Sequence, residues 1–450
     1  MRKAALYSLF WIAIQAFLIT CSSDQTVKNS VIDREEVRSE IAGDIQNELE
    51  DLIDVWYPRA IDKEHGGYLS RFSYDWKQMG SQQKMIVTQS RHLWTLSKLS
   101  GNFPDDQAFR EYASHGFDFL KEHMWDDEYG GFYQLVNRRG EVIQNNGDEI
   151  SKTLYGNAFA LYGLSAFYEF SEDRSALNLA KKTFNWLEKH SHDPVHGGYF
   201  QPLSREGIPD TTGTPKDYNS GIHILEALTE LYSVWPDDLV RERLEEMFYI
   251  VRDTMVTEKG YLNLYFESDW THRSYQDSSR SVILENLNTD HVTPGHDIET
   301  AYLLLEAAHI LGMEEDETTH QIAKKLTDHT LNTGWDDEAG GFYDIGYYFR
   351  GDDDLTIIED TKNWWAQAEG LNTLLIMANL YPGDPQNYFN KFAKQWEYIQ
   401  KNLIDSEHGG WYNSGLDKEP GNRTDPKAHI WKGNYHTVRS LMNCVEYLNK

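Results

Sequence analysis

The sequence predicts an all-α protein, an (α/α)6 barrel of six helical hairpins, and three observations indicate it. A Gly-Gly-aromatic tripeptide recurs along the chain, the segments between the copies have helical spacing of apolar residues, and six copies suit a closed ring. Successive copies begin 64, 67, 63, 80 and 69 residues apart. We expect six inner helices to line a cavity and six outer helices to cover them. An open helical solenoid is the alternative architecture for the same repeat.

The repeated motif starts at an acid and ends at an aromatic residue. The five complete copies are Asp62 to Tyr68, Asp126 to Phe132, Asp193 to Tyr199, Asp336 to Phe342 and Asp405 to Trp411. A degraded copy, Glu258-Lys259-Gly260-Tyr261, lies between the third and the fourth. Paired glycines permit positive φ and close approach of the backbone. The motif is therefore predicted at the turn where a helix ends, with the aromatic residue opening a short extended segment.

The segments between the motifs are predicted to be helices. Apolar side chains recur at spacings of three and four in residues 153–170, 220–231, 298–310 and 361–380, which lack proline. A repeat of about 65 residues accommodates two such helices and their connections. No Pro- or Ser-rich linker interrupts the repeat, so residues 35–450 are predicted to form a single barrel domain with a catalytic function.

The N-terminal residues have the pattern of an export signal. Arg2 and Lys3 precede an apolar run that ends at Cys21, and Leu-Ile-Thr-Cys resembles a bacterial lipobox. Residues 1–21 are therefore predicted to be a signal peptide with lipidation at Cys21, and residues 22–34 a flexible tether. The expected location is the cell envelope, periplasmic or attached to the outer membrane. An ordinary cleaved signal and an uncleaved anchor are the alternatives.

Composition restricts the partners. With 42 basic and 72 acidic residues the formal charge is −30, which argues against nucleic acid and against an anionic membrane surface, so membrane contact is expected only through the lipid. Two cysteines, Cys21 and Cys444, exclude a disulfide framework. The 14 Trp and 27 Tyr suit a sugar-binding cavity, since aromatic faces cover the C–H face of a pyranose. A monomer or a weak dimer is expected.

Polar residues lie near the starts of several predicted helices, and in a ring these positions meet at one mouth of the cavity. The candidates are Arg91, Tyr155, Asn219, His223, His296, Glu299, Trp364, Trp365, Trp431, His436 and Arg439. His296 and Glu299 have the spacing of helix-borne metal ligands, but the pair occurs once and serves equally to hold a histidine tautomer. We therefore predict no metal.

Histidines together with an arginine suit one kind of proton chemistry. Histidine both takes and gives a proton near neutral pH. Two histidines on opposite sides of one carbon can remove a proton on one side and return it on the other. An arginine can stabilise the enediolate oxygen that forms between these steps. Such a site inverts a stereocentre next to a carbonyl.

At these residues the chain resembles the N-acylglucosamine 2-epimerase superfamily, and within it the branch of cellobiose and mannobiose 2-epimerases. The resemblance covers nearly the whole chain after residue 35. Its motifs, in order, are Arg91-His92-Leu93-Trp94, the segments 152–159 and 219–226, Gly295-His296-Asp297-Ile298-Glu299, the segment 363–369, and Trp431 through His436 to Arg439. The Gly-His-Asp-Ile-Glu form favours the disaccharide branch.

The resemblance implies an (α/α)6 barrel without a cofactor that interconverts reducing-end glucose and mannose in β-1,4-linked disaccharides or oligosaccharides. It implies His296 and His436 as the acid and base at C2, and His223 as an aid to binding or ring opening. The implied substrate ligands are Arg91, Tyr155 and Asn219 at the C1 and C2 oxygens, Glu299 toward His296 or a hydroxyl, Trp364 or Trp365 with Trp431 stacked on the sugars, and Arg439.

Three other functions remain open at this point. An aldose–ketose isomerase uses the same enediol but returns the proton to C1. A glycoside hydrolase needs two carboxylates beside a glycosidic bond, for which Glu299 and Glu369 could be considered. A sugar-binding protein without activity is the third. The interval from Gly260 to His296 is expected to cover the mouth and to influence substrate choice.

Overall fold

The structure, a computed structural model, describes Asp33, residues 35–143 and residues 150–450. The predicted signal peptide, the lipidation site at Cys21 and the tether other than Asp33 lie outside the described residues. Within the described part, none of the helices combines the length and the apolar character needed to cross a bilayer.

Twelve long helices and one short helix make up the described part of the barrel. In chain order they are α1 (Glu35–Trp56), α2 (Ile86–Asn102), α3 (Gln107–Phe119), α4 (Leu154–Ser171), α5 (Arg174–His190), α6 (Tyr218–Val234), α7 (Asp238–Ile250), α8 (Arg280–Glu285), α9 (Pro294–Leu311), α10 (Glu317–Thr333), α11 (Trp364–Leu380), α12 (Tyr388–Asn402) and α13 (Tyr435–Leu448). Helices α3 and α7 each continue into one π-helical turn, at Leu120–Met124 and Val251–Met255.

The long helices form two concentric rings. Helices α2, α4, α6, α9, α11 and α13 contact one another in this order, and α13 contacts α2, so the inner ring is closed. Helices α1, α3, α5, α7, α10 and α12 pack outside, each against an inner helix. The predicted (α/α)6 barrel is confirmed, and the open solenoid is wrong.

The two rings differ in sequence in the way that their positions require. Every residue of α4 from Leu154 to Phe167 is buried, as expected for a helix that is apolar on all sides. Outer helix α5 buries only one stripe, which includes Leu179, Phe184 and Leu187. Four outer helices begin at an aspartate whose side chain accepts a hydrogen bond from the first turn, namely Asp106, Asp173, Asp237 and Asp316.

The Gly-Gly-aromatic motifs lie where an outer helix has ended, as predicted. In the second copy Gly130 and Gly131 have φ of 71° and 72°, a region that disfavours residues with a Cβ. A Cβ on Gly131 would lie 2.8 Å from the Trp186 ring. The aromatic residue Phe132 then forms an isolated antiparallel bridge with Trp125.

A buried lysine fastens each complete turn, a feature that the sequence did not reveal to us. It lies 22 to 26 residues after the motif's aspartate. The Nζ-to-Oδ2 distances are 3.0 Å for Lys84–Asp62, 2.9 Å for Lys152–Asp126, 2.7 Å for Lys216–Asp193, 2.8 Å for Lys362–Asp336 and 2.6 Å for Lys427–Asp405. Because Lys84, Lys152, Lys216 and Lys362 lie two residues ahead of an inner helix, their pairs tie the turn to the site-bearing end of that helix.

Short antiparallel strands connect the units at the same end of the barrel. Among the residues that the structure describes, they form four two-stranded sheets, which are β1 (Lys84–Met85) with β2 (Leu135–Val136), β3 (Ser151–Thr153) with β4 (Pro202–Ser204), β5 (Lys216–Asp217) with β6 (Tyr265–Phe266), and β7 (Ile345–Tyr347) with β8 (Thr356–Glu359). In the first sheet Lys84 pairs with Val136, and in the second Lys152 pairs with Leu203.

The degraded copy at Gly260 departs from the other turns. Thr257 takes the place of the aspartate and accepts the backbone N–H of Gly260. The long interval that follows contains α8 and a 3-10 turn at Leu287–Thr289. Its Ile283 packs with Tyr347 and Phe349 from the β7 region in a small cluster separate from the main core. The segment between Gly260 and α9 therefore packs against the neighbouring unit.

Candidate active site

The inner ring brings most of the predicted residues together at the N-terminal ends of its helices. The contributors are Arg91 from α2, Tyr155 from α4, Asn219 and His223 from α6, His296 and Glu299 from α9, Trp365 and Glu369 from α11, and His436 and Arg439 from α13. Each lies before or at the start of the apolar part of its helix. Because the ring is closed, these residues from six separate segments meet at one polar end of the barrel.

Two histidines flank one tryptophan. The ring centroid of Trp365 lies 4.4 Å from that of His296 and 5.8 Å from that of His436. The sequence left open which tryptophan of the pair faces the site, and the structure places Trp365 there. Trp364 is 8% exposed and packs edge-on against His429 instead, with ring centroids 5.8 Å apart.

His296 is supported by hydroxyl groups. Its Nδ1 lies 3.1 Å from Thr293 Oγ1 and 3.3 Å from the Tyr218 hydroxyl. Burial lowers the pKa of His296 well below its usual value, and the positive charge of Arg91 adds to the effect. His296 is therefore neutral near pH 7 and able to accept a proton. Glu299, one of whose predicted roles was to orient His296, contacts Arg439 instead.

His436 is supported by a carboxylate. Its Nδ1 lies 2.7 Å from Glu369 Oε1 and 3.9 Å from Glu299 Oε1. Burial lowers the pKa of His436 well below its usual value, and Arg91 and Arg439 lower it further. With Nδ1 engaged by Glu369, Nε2 is the nitrogen left for a substrate.

His223 has a carboxylate partner on its own helix. Its Nδ1 lies 2.8 Å from Glu226 Oε2, at the i,i+3 spacing of α6. Although burial opposes it, the charge of Arg439 together with the His223 hydrogen bond lowers the pKa of Glu226 to about 2. The His223 ring packs against Phe159 and Tyr155, with centroids 4.8 and 5.4 Å away.

Arg439 lies beneath the histidines, bonded to three carboxylates. Its Nη2 donates to Glu299 Oε1 at 2.7 Å and to Glu369 Oε1 at 2.6 Å, and its Nη1 donates to Glu226 and to the Tyr435 hydroxyl. Its side chain is 1% exposed. We predicted that Arg439 binds substrate. In this position, below the cavity, its positive charge acts on the three carboxylates.

The same cluster contains the ligand types of a metal site. Within the described ranges, Glu299, Glu369 and His436 offer ligand atoms that lie within 4.8 Å of one another. The Arg439 guanidinium already donates to both carboxylates, and its positive charge would oppose a divalent cation at the same place. The residues present therefore suit an arginine-bridged cluster better than a metal.

A second arginine provides hydrogen-bond donors at the cavity. Arg91 Nη2 donates to the Tyr155 hydroxyl at 3.0 Å, and the guanidinium carbon lies 4.3 Å from the Phe159 ring centroid. Burial raises the pKa of Tyr155, which keeps the phenol protonated. Asn219 is half-buried, and its Oδ1 has no hydrogen-bond partner in the part of the chain that the structure describes. These groups could hold oxygen atoms of a ligand.

Trp431 lies outside this cluster. It is 48% exposed, and its backbone N–H lies 3.3 Å from His429 Nδ1. His429 also packs edge-on against Trp364. A sugar ring that extends beyond the histidines could reach an exposed indole at this position.

Sequence reasoning missed several partners of the histidines. Glu226, Tyr435, Tyr218 and Thr293 were given no role, and Glu369 was considered only as a hydrolase carboxylate. Helical spacing carries a signal for one of them, since Glu226 follows His223 by three residues. The contact of His436 with Glu369 joins two residues that lie 67 positions apart on different helices, and no local pattern indicates it.

Comparison with known proteins agrees with this geometry. The sequence model described as N-acylglucosamine 2-epimerase (GlcNAc 2-epimerase) matches residues 66–440, a range that contains every site residue named above. The cellobiose 2-epimerase of Bacteroides fragilis is 31% identical over 419 residues, which cover 89% of this chain and 96% of that protein. The cellobiose 2-epimerase of Dictyoglomus turgidum is 27% identical over 92% of this chain and its own full length.

A solved structure has the same fold over nearly all of the chain. The cellobiose 2-epimerase of Spirochaeta thermophila superimposes with a TM-score of 0.78 at 26% identity, and the match covers 92% of this chain and 98% of that one. The likeness therefore includes both rings and the end of the barrel where the histidines lie.

Proposed function

The chain belongs to the N-acylglucosamine 2-epimerase family and is a sugar epimerase, and we propose that it interconverts reducing-end glucose and mannose in β-1,4-linked disaccharides or oligosaccharides. The substrate class rests on similarity to cellobiose 2-epimerases over about nine tenths of the chain. Cellobiose and β-1,4-mannobiose are the substrates of choice for a first test.

The arrangement of His296 and His436 around Trp365 is the observation that carries the proposal. In the proposed reaction one imidazole takes the C2 proton of the open-chain sugar, and the electron pair moves to the C1 oxygen to give an enediolate. The other imidazole, when protonated, returns a proton to the opposite face of C2. Burial favours the neutral form of both histidines, so either one can act as the base, and the other takes up a proton from solvent before it acts as the acid.

The enediolate needs nearby donors, and Arg91 is placed to provide them. Its guanidinium and the hydroxyl of Tyr155 are hydrogen-bonded to each other, so they present donors with a fixed mutual geometry. Asn219 contributes an amide beside them. We assign these three residues to the C1 and C2 oxygens, and His223 to sugar binding or ring opening.

The carboxylate arrangement favours this chemistry over hydrolysis. A glycoside hydrolase places its two carboxyl groups on either side of the scissile bond, at least about 5 Å apart. Glu299 and Glu369 instead accept from the same Arg439 nitrogen and have side chains that are 0% exposed. They cannot flank a bond of the substrate while they are held in this way.

Proton NMR of cellobiose and β-1,4-mannobiose in deuterated water tests the proposal. We expect the C2 epimer to appear with deuterium at C2, and His296→Ala or His436→Ala to lower the rate at least ~10²-fold. His320→Ala, on outer helix α10, is the matched control and should keep full activity. Epimer without deuterium at C2 would exclude proton exchange, and a ketose product with label at C1 would indicate the isomerase instead.

We also propose that the protein is exported and anchored by a lipid at Cys21. The proposal rests on Arg2-Lys3, the apolar run and the lipobox-like end of residues 1–21. In cells fed labelled palmitate, the full chain should take up label and sediment with membranes, and Cys21→Ala should lose the label. Unlabelled protein in the soluble fraction of wild-type cells would refute the anchor.

A further inference from the structure

Three buried carboxyl groups below the histidines share one arginine. Glu226, Glu299 and Glu369 all accept from Arg439. Glu226 also contacts His223, whereas Glu299 and Glu369 share a single Arg439 nitrogen. A second negative charge at that nitrogen would be poorly compensated in a site without solvent exposure, which is costly.

Hydrogen bonding indicates which carboxyl group is neutral. Glu226 accepts from the Tyr435 hydroxyl at 2.5 Å and from Arg439, and it contacts His223, all of which favour its ionised form. Glu369 Oε1 has two partners, His436 Nδ1 at 2.7 Å and Arg439 Nη2 at 2.6 Å.

Glu299 has less support than the other two. Its Oε1 accepts from Arg439 Nη2 alone, at 2.7 Å, whereas Glu369 Oε1 also has His436 Nδ1 as a partner. The Oε2 atoms of both glutamates have no hydrogen-bond partner among the described residues. Burial raises the pKa of both Glu299 and Glu369 to about 7, with the nearby charge of Glu369 adding to the shift at Glu299. Two carboxyl groups that share one donor nitrogen do not both ionise readily, and the one with fewer donors keeps the proton.

We propose that Glu299 and Glu369 form a positioning pair for His436, in which Glu299 carries the proton while Glu369 is ionised and accepts the Nδ1–H of His436. The pair thereby keeps His436 Nε2 unprotonated and ready to take the C2 proton. This role of His436 rests on the proposed epimerase function, whereas the protonation pattern does not. Glu299 then acts as a neutral spacer beneath the site and neither orients His296 nor binds sugar.

The proton balance depends on groups from every helix around the pair. The titratable and charged neighbours are Arg91 on α2, Tyr155 on α4, His223 and Glu226 on α6, Tyr302 on α9, and Tyr435, His436, Arg439 and Cys444 on α13. Loss of the Glu299 proton at alkaline pH would place a second negative charge near His436. That charge would favour the imidazolium form of His436, which cannot accept the C2 proton.

Substitution by glutamine separates the two carboxyl groups. Glu299→Gln keeps the shape and the neutral charge that we assign to Glu299. Glu369→Gln removes the charge that selects the Nδ1–H tautomer, because an amide can donate to Nδ1 as well as accept from it. Glu306→Gln is the matched control, since Glu306 is a third glutamate whose pKa burial raises to about 7, on the same helix α9, without a contact to His436.

Nitrogen NMR of the full chain labelled with 15N-histidine, without substrate, is the test. Wild type, Glu299→Gln and Glu306→Gln should show His436 with a protonated Nδ1 and a bare Nε2, and Glu369→Gln should show a mixture of tautomers. With disaccharide, Glu369→Gln should lower kcat on the order of 10²-fold with little change in KM. The activity of Glu299→Gln should decline less than that of wild type as the pH rises above 7.

The readouts also separate the possible failures. A wild-type His436 protonated on Nε2 overturns the proposal, even if Glu369→Gln fails to fold. A Glu299→Gln variant with a mixture of His436 tautomers, or with the same alkaline decline in activity as wild type, overturns it as well. If no epimerisation occurs with any sugar, the proposed function fails, but the tautomers of the free protein still decide the protonation pattern.

Discussion

At the scale of single residues, Trp365 sets the separation of the two histidines. Its indole packs against both imidazoles, so it fixes their distance as well as offering a face to a sugar. We expect Trp365→Ala to lower kcat on the order of 10²-fold, because misplacement of a reacting group by about 1 Å has that effect. Steady-state kinetics on the preferred disaccharide, with circular dichroism to verify folding, measures it.

Trp364→Phe is the matched control for this prediction. Trp364 packs against His429 with Lys432 over its ring, and an aromatic replacement keeps most of that packing. Its kcat should stay close to that of wild type. A similar loss in both variants would mean that the tryptophan pair acts through the stability of α11 and not through the spacing of the histidines.

Residue types were predictable here, and their pairings were not. His296, His436 and Trp365 stand at helix starts in motifs that the sequence displays. The partner of each is another matter, because a contact such as Glu369 to His436 depends on how α11 and α13 rotate within the ring. A side chain's spacing along one helix fixes its face but not the neighbour that the face meets.

At the scale of elements, the buried Asp–Lys pairs hold the turns that start the inner helices. Asp126 accepts from both Lys152 and Arg205, and these partners hold the pKa of Asp126 below its ordinary value although burial opposes them. Lys152→Met leaves a buried carboxylate with one partner fewer, and breaking such a pair costs about 3–5 kcal/mol. Thermal and urea unfolding should show this loss.

A double substitution tests whether the buried charge causes the loss. In Asp126→Leu with Lys152→Met both charges are gone, so we expect the double variant to be more stable than Lys152→Met alone. The native turn at Thr257 already lacks the aspartate and still forms its bridge from Val256 to Leu262. Additive losses in the double variant would show that the pair acts by packing instead.

The sixfold repeat predicts some features of the elements but not the buried lysines. Helices, turn positions and ring closure follow from the sixfold Gly-Gly-aromatic period, because each unit must bury an apolar face against the next. The lysines escaped notice because Lys152 and Lys216 follow their aspartates at unequal distances of 26 and 23 residues. A lysine in a sequence normally indicates an exposed position, and only the folded turn supplies the carboxylate and carbonyls that bury it.

At the scale of the whole molecule, an acidic chain encloses buried positive charges. The chain carries a formal charge of −30, yet Arg91 and Arg439 lie buried inside the ring. The excess of acid repels polyanions. Arg439 holds the glutamates that support two of the three site histidines, so the interior differs in charge character from the surface around it.

Buried neutral histidines make the stability of the whole barrel dependent on pH. Burial lowers the pKa of His92 to about 3 and those of His329 and His429 to about 4, and it also lowers those of His296 and His436. The unfolded chain therefore binds more protons than the folded barrel once the pH falls below about 6.5. The stabilisation is complete above that pH and is lost progressively toward the folded-state values. The glutamates whose pKa burial raises to about 7, namely Glu48, Glu299, Glu306 and Glu369, oppose this slope, so comparison with a variant is needed to isolate the contribution of one histidine.

We therefore expect acidification from pH 7.5 to pH 5 to lower the free energy of unfolding by roughly 2 kcal/mol through His92 alone, because its unfolded-state pKa is about 6.5 and its folded-state pKa is about 3. His92→Gln is the informative variant, because an amide can still bond the Tyr57 hydroxyl, which lies 2.9 Å from His92 Nδ1, but does not titrate. Its unfolding temperature should decline less than that of wild type over the same range, as followed by circular dichroism. An unfolding temperature that is flat or rises on acidification would show that the buried glutamates outweigh the histidines, and equal slopes for both proteins would remove His92 from the account.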